Sequence, residues 1–143
     1  RAWGAGANGQ LGTGMTQDSL TPAYVPGLSG ITAMAAGWVH TVALRDDGTV
    51  WACGGNYRGQ NGDGTTDNSS LLAPVPGLSG VIAVAAGMQH TVALLSNGRV
   101  MAWGYNGAGS LGDGTIVDRH TPVPVFSGAV AIHAGYLNSA ARK

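Results

Sequence analysis

His40 and His90 are the side chains best equipped for chemistry in this sequence. They stand in near-identical text, AAGWVHTVAL at Ala35–Leu44 and AAGMQHTVAL at Ala85–Leu94, 50 residues apart. An imidazole titrates near neutrality and readily ligates metals. Zinc, however, needs three or four convergent ligands, and His120 and His133 have no counterpart one repeat away. Asp63 and Asp113 each sit in a GDGT tetrapeptide that invites a calcium reading. No 12-residue ligand series surrounds them, and the first copy has Thr13 at that position, so they read as turn aspartates bonded to local amides. The glycine-rich segments have phosphate-loop-like spacing but lack the Gly-Lys-Ser/Thr ending and a following helix. No serine has a nucleophile-elbow context. Cys53 replaces the tryptophan found at Trp3 and Trp103, which makes it a packing residue before it is a nucleophile. These residues predict no catalytic group, no cofactor site and no metal site, and so a protein that is not an enzyme.

The elements that must carry these residues repeat. Between Gly27–Val50 and Gly77–Val100, 15 of 24 positions are identical, and a degraded third copy, HAGYLNSAAR at His133–Arg142, follows 48 residues after the second. A period near 50 marks one supersecondary unit that buries its faces by stacking on its neighbours. Each unit opens on a glycine-rich segment: AWGAGANGQLGTG (Ala2–Gly14), ACGGNYRGQNGDG (Ala52–Gly64) and AWGYNGAGSLGDG (Ala102–Gly114). Glycines at fixed offsets predict positive φ or close backbone approach in a compact loop. Proline-bearing pieces follow at Thr21–Pro26, Leu71–Pro76 and Thr121–Phe126; lacking a donor, they read as edge strands or extended connections. A GLSG turn comes next at Gly27–Gly30 and Gly77–Gly80, two residues shorter in the third unit.

Strands are then predicted at Ile31–Ala35 and Val81–Ala85, at Thr41–Leu44 and Thr91–Leu94, and at Val50–Cys53 and Val100–Trp103. Asp47-Gly48 and Asn97-Gly98 between apolar runs are hairpin signals. Four short strands per unit and no 3.6-residue periodicity predict an all-β chain of antiparallel four-stranded propeller blades. It reads as a single array over 1–143, in units of about 1–50, 51–100 and 101–143.

Composition limits the partners. Charged residues are 10% of the chain, the formal net charge is zero, and Lys and Arg cluster nowhere beyond Arg142–Lys143. Without a basic face to displace counterions, no nucleic-acid partner is expected. The apolar runs are short and contain glycine, so no membrane span is expected either. No signal peptide is visible, although the chain opens mid-motif, and a single cysteine says little about compartment.

The segments MAAGWVHTVAL (Met34–Leu44) and VAAGMQHTVAL (Val84–Leu94), with the AWG…GQLG.G segment and the DGTVWA hairpin, closely resemble the regulator-of-chromosome-condensation repeat. The resemblance covers essentially the whole chain. It implies a β-propeller, usually seven-bladed, in which His40 and His90 are buried imidazoles tying neighbouring backbone together, a metal or catalytic role being the alternative. Gly37, Gly87, Gly135, Trp3 and Trp103 join them as structural positions. The third copy departs from the pattern: His133 replaces a small residue, Asn138 stands where His40 and His90 do, and Arg142 where Leu44 and Leu94 do. The family's roles are broad, including nucleotide exchange on a small GTPase with chromatin docking and, in bacterial relatives, inhibition of β-lactamases.

Function is sought in what varies inside the constant frame. Trp38-Val39 becomes Met88-Gln89 and then Tyr136-Leu137, while Tyr57-Arg58 faces Ala7-Asn8 and Gly107-Ala108 in the other copies. Such side chains dominate protein interfaces. Trp38, Met88, Tyr136, Tyr57 and Arg58 are therefore expected to bind a protein partner at loops and rims, drift at exposed loop tips being the alternative. A second expectation is a structural or engineered repeat fragment that assembles into a complete propeller; a third, on resemblance alone, is exchange activity on a small GTPase. The ends bear on the second. Arg1–Gly4 reads as the second half of a hairpin and Asn138–Lys143 as the first half, the two halves of one split blade, with only positions equivalent to 96–100 unaccounted for. The N-terminal strand is thus expected to pair with the C-terminal strand of another chain or with a missing part of the parent protein. Deleting Arg1–Gly4 is expected to abolish the oligomer or the folded state.

Overall fold

A computed structural model describes residues 1–143. Twelve strands and no helix make up the chain: β1 (Ala2–Gly4), β2 (Ser19–Ala23), β3 (Ile31–Ala36), β4 (His40–Arg45), β5 (Val50–Gly54), β6 (Ser69–Pro74), β7 (Val81–Ala86), β8 (His90–Leu95), β9 (Val100–Gly104), β10 (Arg119–Phe126), β11 (Ala131–Ala134) and β12 (Ser139–Arg142). They form two four-stranded antiparallel meanders, β3-β4-β5-β6 and β7-β8-β9-β10, flanked by the two-stranded sheets β1-β2 and β11-β12. The sheets thus cut the sequence at other places than units counted from residue 1. The chain holds two complete blades, one outer pair of strands at its start and one inner pair at its end.

The registers of the two blades are identical at an offset of 50: His40 faces Gly54 and Leu44 faces Val50, as His90 faces Gly104 and Leu94 faces Val100. Each central hairpin closes over four residues, with Gly48 N–H donating to Arg45 O and Gly98 N–H to Leu95 O. The proline-bearing pieces are edge strands, as read from the sequence, but they begin earlier, at Ser19, Ser69 and Arg119. They can do so because Pro22, Pro74, Pro122 and Pro124 lie on strands with one partner only. All twelve glycines aligned among the three loops adopt positive φ, between 67° and 108°.

The core lies between sheets, not on one side of any sheet. β4 and β8 are buried along nearly their whole length, on both faces. Val42, Leu44, Val50, Ala52 and Val75 of the first blade pack against Val81, Ala93 and Trp103 of the second. Val92, Leu94, Val100, Ala102 and Leu111 of the second pack against Ile132 and Ala129 of the terminal pair. Small side chains such as Ala43, Ala52, Ala93 and Ala102, all fully or almost fully buried, let sheets approach on both faces.

Candidate functional site

The two repeated histidines lie at the seams between sheets. His40, at the start of β4, hydrogen-bonds through Nε2 to Thr91 Oγ1 at 2.9 Å, and the Thr91 hydroxyl donates to Gln60 O at 2.9 Å. A threonine hydroxyl has one proton. Because that proton goes to Gln60, His40 must donate from Nε2; burial keeps the ring neutral, so it is the Nε2–H tautomer. His90 repeats the relay through Ser139 Oγ (3.1 Å), whose proton goes to Ser110 O (2.8 Å). The imidazoles therefore bridge to a hydroxyl of the next sheet, and that hydroxyl reaches the backbone. Thr41 makes the same bond to Gln10 O at 2.8 Å. Burial pushes the His40 imidazole down to about 3, with the charge of His90 as a smaller contributor, and burial also lowers His90.

Gly37 and Gly87 are required by these rings. Neither has positive φ, but a Cβ at Gly37 would overlap the His40 ring and Gly87 O, and one at Gly87 would overlap the His90 ring and Gly135 O. At Gly135 the neighbour is the Asn138 side chain, which stands in the histidine's place.

Trp103 is fully buried, and its indole donates to Gln60 O at 2.9 Å, so one carbonyl collects Thr91 and Trp103 together. Cys53 takes the same seat one blade earlier: its Sγ lies 3.7 Å from Gln10 O, and burial pushes the thiol up to about 12. That environment makes it a packing residue. Trp3, read from the sequence as structural like Trp103, is instead 63% exposed. It lies on the two-stranded sheet β1-β2.

Asp63 and Asp113 bind their own turns. Each accepts from the Thr two residues on, through both N–H and hydroxyl, and from the side-chain amide of Asn56 or Asn106. Asp113 also receives Arg119 Nε at 2.7 Å. The Thr115 hydroxyl, with Arg119 beside it, holds Asp113 well below the usual carboxylate range.

The interface candidates divide into two groups on one face of the array. The turns after β3, β7 and β11 and the long loops after β5 and β9 leave from the same end of the sheets, since His40 pairs with Gly54 and His90 with Gly104. Trp38, Met88 and Tyr136 are joined edge to edge: Trp38 N–H donates to Met88 O (3.2 Å) and Met88 N–H to Tyr136 O (3.0 Å). They line a shallow trough, with Trp38 and Tyr136 each 66% exposed. Tyr57 and Arg58 lie farther out and are partly engaged. The Tyr57 hydroxyl donates to Asn8 Oδ1 (2.7 Å) and accepts from Asn68; Arg58 pairs with Asp118 (3.4 Å) and lies over the Tyr105 ring.

Sequence reasoning passed over the hydroxyls Thr41, Thr91 and Ser139 and the carbonyls of Gln10, Gln60 and Ser110. A hydroxyl following each histidine position was the available signal. It also passed over Asn61, buried where the other copies have Leu11 and Leu111: Asn61 Nδ2 reaches Gly54 O at 3.2 Å, but its Oδ1 has no partner.

The sequence pattern of the Regulator of chromosome condensation (RCC1) repeat matches residues 2–44, 47–94 and 97–141, and a second pattern of that repeat matches 31–60 and 81–110. The Ultraviolet-B receptor UVR8 of Arabidopsis thaliana is 43% identical over 56 residues, 38% of this chain and 13% of the receptor. Prp20p from Saccharomyces cerevisiae superposes at a TM-score of 0.82 with 22% identity, over 97% of this chain and 38% of that one. Human WBSCR16 does so at 0.78 with 25% identity, over 94% of this chain and 37% of that one. The chain thus spans under two-fifths of the length of each relative. With three consecutive repeat matches, helix-free four-stranded sheets and these neighbours in structure, the chain belongs to the RCC1 repeat family and has that family's β-propeller fold.

Proposed function

We propose that this chain is a non-enzymatic binding module that meets a protein partner on the face bearing Trp38, Met88 and Tyr136. One observation carries the reading: three residues spaced 50 and 48 apart, all different and all of interface type, become neighbours through the Trp38–Met88 and Met88–Tyr136 backbone bonds. The frame beneath them is fixed by buried histidines and glycines, so the side chains vary on a rigid support. Tyr57 and Arg58 form the outer part of the surface, with weaker claims because Asn8, Asp118 and Tyr105 already engage them.

Structural neighbours suggest the kinds of partner. Prp20p is described with binding properties to Gsp1p and histones, and yeast RCC1 in a complex with Kap60. Binding of the immobilised chain to these three proteins, and to whatever the native chain captures, tests the reading. Trp38→Ala with Tyr136→Ala should weaken any genuine partner at least about tenfold, as loss of hot-spot aromatics does, with the unfolding midpoint unchanged. Equal capture by native and variant chains would remove this surface from consideration. The exchange-factor reading rests on family likeness alone, and no residue of this chain supports it.

A further inference from the structure

The long loops after β5 and β9 build the same aspartate turn and differ in what meets its second carboxylate oxygen. In both, Oδ1 gathers the turn. Asp63 Oδ1 accepts from Thr65 N–H (2.9 Å), the Thr65 hydroxyl (2.9 Å) and Asn56 Nδ2 (3.1 Å). Asp113 Oδ1 accepts from Thr115 N–H (2.9 Å), the Thr115 hydroxyl (2.7 Å) and Asn106 Nδ2 (3.0 Å). Asp113 Oδ2 then receives Arg119 Nε at 2.7 Å, and Arg119 Nη2 lies 3.4 Å from the Thr115 hydroxyl. Asp63 Oδ2 accepts from no group of the chain and is not sealed from solvent. One residue makes the difference. Ser69 stands opposite Gly54 where Arg119 stands opposite Gly104, and its hydroxyl turns back along its own strand to Leu71 O at 2.6 Å. The loop after β1 has Thr13 at the aspartate's position and so offers no carboxylate.

The third loop shows what such a turn takes. A guanidinium presents a planar fork of N–H donors, which suits a carboxylate with a hydroxyl oxygen beside it. The charges around Asp63 point the same way. Asp67 is exposed where the third loop has Val117, and the loop's one cation, Arg58, is turned to Asp118 of the neighbouring loop and lies over the Tyr105 ring. We infer that the loop Asn56–Asn68 is a guanidinium-binding site: Asp63 Oδ2 and the Thr65 hydroxyl take an arginine side chain of a protein partner as Asp113 and Thr115 take Arg119. A protein segment suits the site better than free arginine. With Arg58 already paired, the loop has no cation to hold an α-carboxylate, whereas Asp67 suits a second basic residue. Two carboxylates without a cation of their own also steer a basic segment toward the loop.

The site lies outside the Trp38–Met88–Tyr136 series, so the inference does not rest on that surface, and its test reads one loop instead of partner capture. The probe is an acetylated and amidated Gly-Arg-Gly-Arg-Gly peptide, titrated by NMR into the isotope-labelled chain. The amide signals of Thr65 and Asp67 should shift saturably. The lysine twin of the peptide should bind at least about threefold more weakly, within the range of a half-exposed ion pair, because an ammonium lacks the planar fork. Asp63→Asn should weaken the arginine peptide by a similar factor. Ser69→Arg gives this loop the arginine that the third loop carries, so it should abolish the shift with the thermal midpoint unchanged or raised. That variant fills the site instead of removing part of it, and it decides the matter if Asp63→Asn fails to fold. Free arginine should bind more weakly than the peptide. The proposal is overturned by the absence of a saturable shift at Thr65, by equal binding of the lysine twin, or by a Ser69→Arg chain that binds as the native one does. Free arginine that binds as tightly as the peptide overturns a protein segment as the source.

Discussion

Two seams of this molecule are written in nearly the same letters and built to different completeness. Between the blades β3–β6 and β7–β10, the His40–Thr91–Gln60 relay runs beside a buried Trp103 that shares its acceptor. Between β7–β10 and β11–β12, His90, Ser139 and Ser110 repeat the relay, but Ser110 O receives Ser139 alone and Gly112 is exposed. The sequence around Gly112 is as good a seat as that around Gly62. At Gly62 a Cβ would meet the Trp103 indole, whereas at Gly112 none of residues 1–143 lies within 4 Å. In repeat architectures stability is held in nearest-neighbour interfaces, so equivalent residues are expected to differ in worth according to what stacks on them.

The largest expected effect tests that directly. Trp103→Ala should lower unfolding free energy by about 3–5 kcal/mol, the usual cost of emptying a buried aromatic site. Trp3→Ala should change it by less than about 0.5 kcal/mol, as exposed substitutions do. Comparable losses in denaturant titrations of the two variants would break the comparison.

Glycines sharpen it next. Gly37→Ala drives a methyl into the His40 ring and a neighbouring carbonyl and should cost about 1–3 kcal/mol, as overpacking does. Gly135→Ala meets only the exposed Asn138 side chain, which can swing aside, and should cost under about 0.5 kcal/mol. Thermal midpoints of the pair decide this.

The histidines give a pH signature. Burial holds His40 at about 3 and lowers His90, whereas the unfolded chain titrates near 6.5. Below that value the unfolded chain binds more protons than the folded one. Stability is therefore full above it and falls as pH drops, by about 1.4 kcal/mol per pH unit for a ring that stays neutral. Asp47 and Asp113, held low chiefly by hydroxyls of Thr49 and Thr115, contribute only lower still. Denaturant titrations between about pH 6.5 and 4.5, above the carboxylate range, should show a shallower slope for His40→Gln than for the native chain. An unchanged slope would mean the ring is not held neutral.

The smallest effect is a gain. Asn61→Leu installs the residue that the other two loops carry and removes a buried oxygen without a partner, which should add about 1 kcal/mol despite the lost bond to Gly54 O. A loss in the unfolding midpoint would show that the amide is better satisfied than its geometry indicates.

Strand identity was legible because local chemistry determines it. The Asp-Gly and Asn-Gly turns, the proline-bearing edges and the small-residue strands all appear where the spacing puts them, with errors of a few residues at the outer strands. Those edges drifted because an outer strand is bounded by where its neighbour's hydrogen bonds begin, and no local residue marks that point. The candidate surface was half legible. Residue type marked Trp38, Met88, Tyr136, Tyr57 and Arg58, but only the structure separates the three joined by backbone bonds from the two engaged by neighbouring loops.

By itself, the sequence determined the repeat, the hairpins, the glycine turns and the burial of the histidines, since each follows from residues within one 50-residue unit. Only the tertiary structure decided what His40 bonds to, why Gly37 must be glycine, and why Trp3 and Trp103 have opposite exposures. Those outcomes rest on residues a full repeat away, brought together by stacking sheets whose own sequences do not specify which neighbour is present.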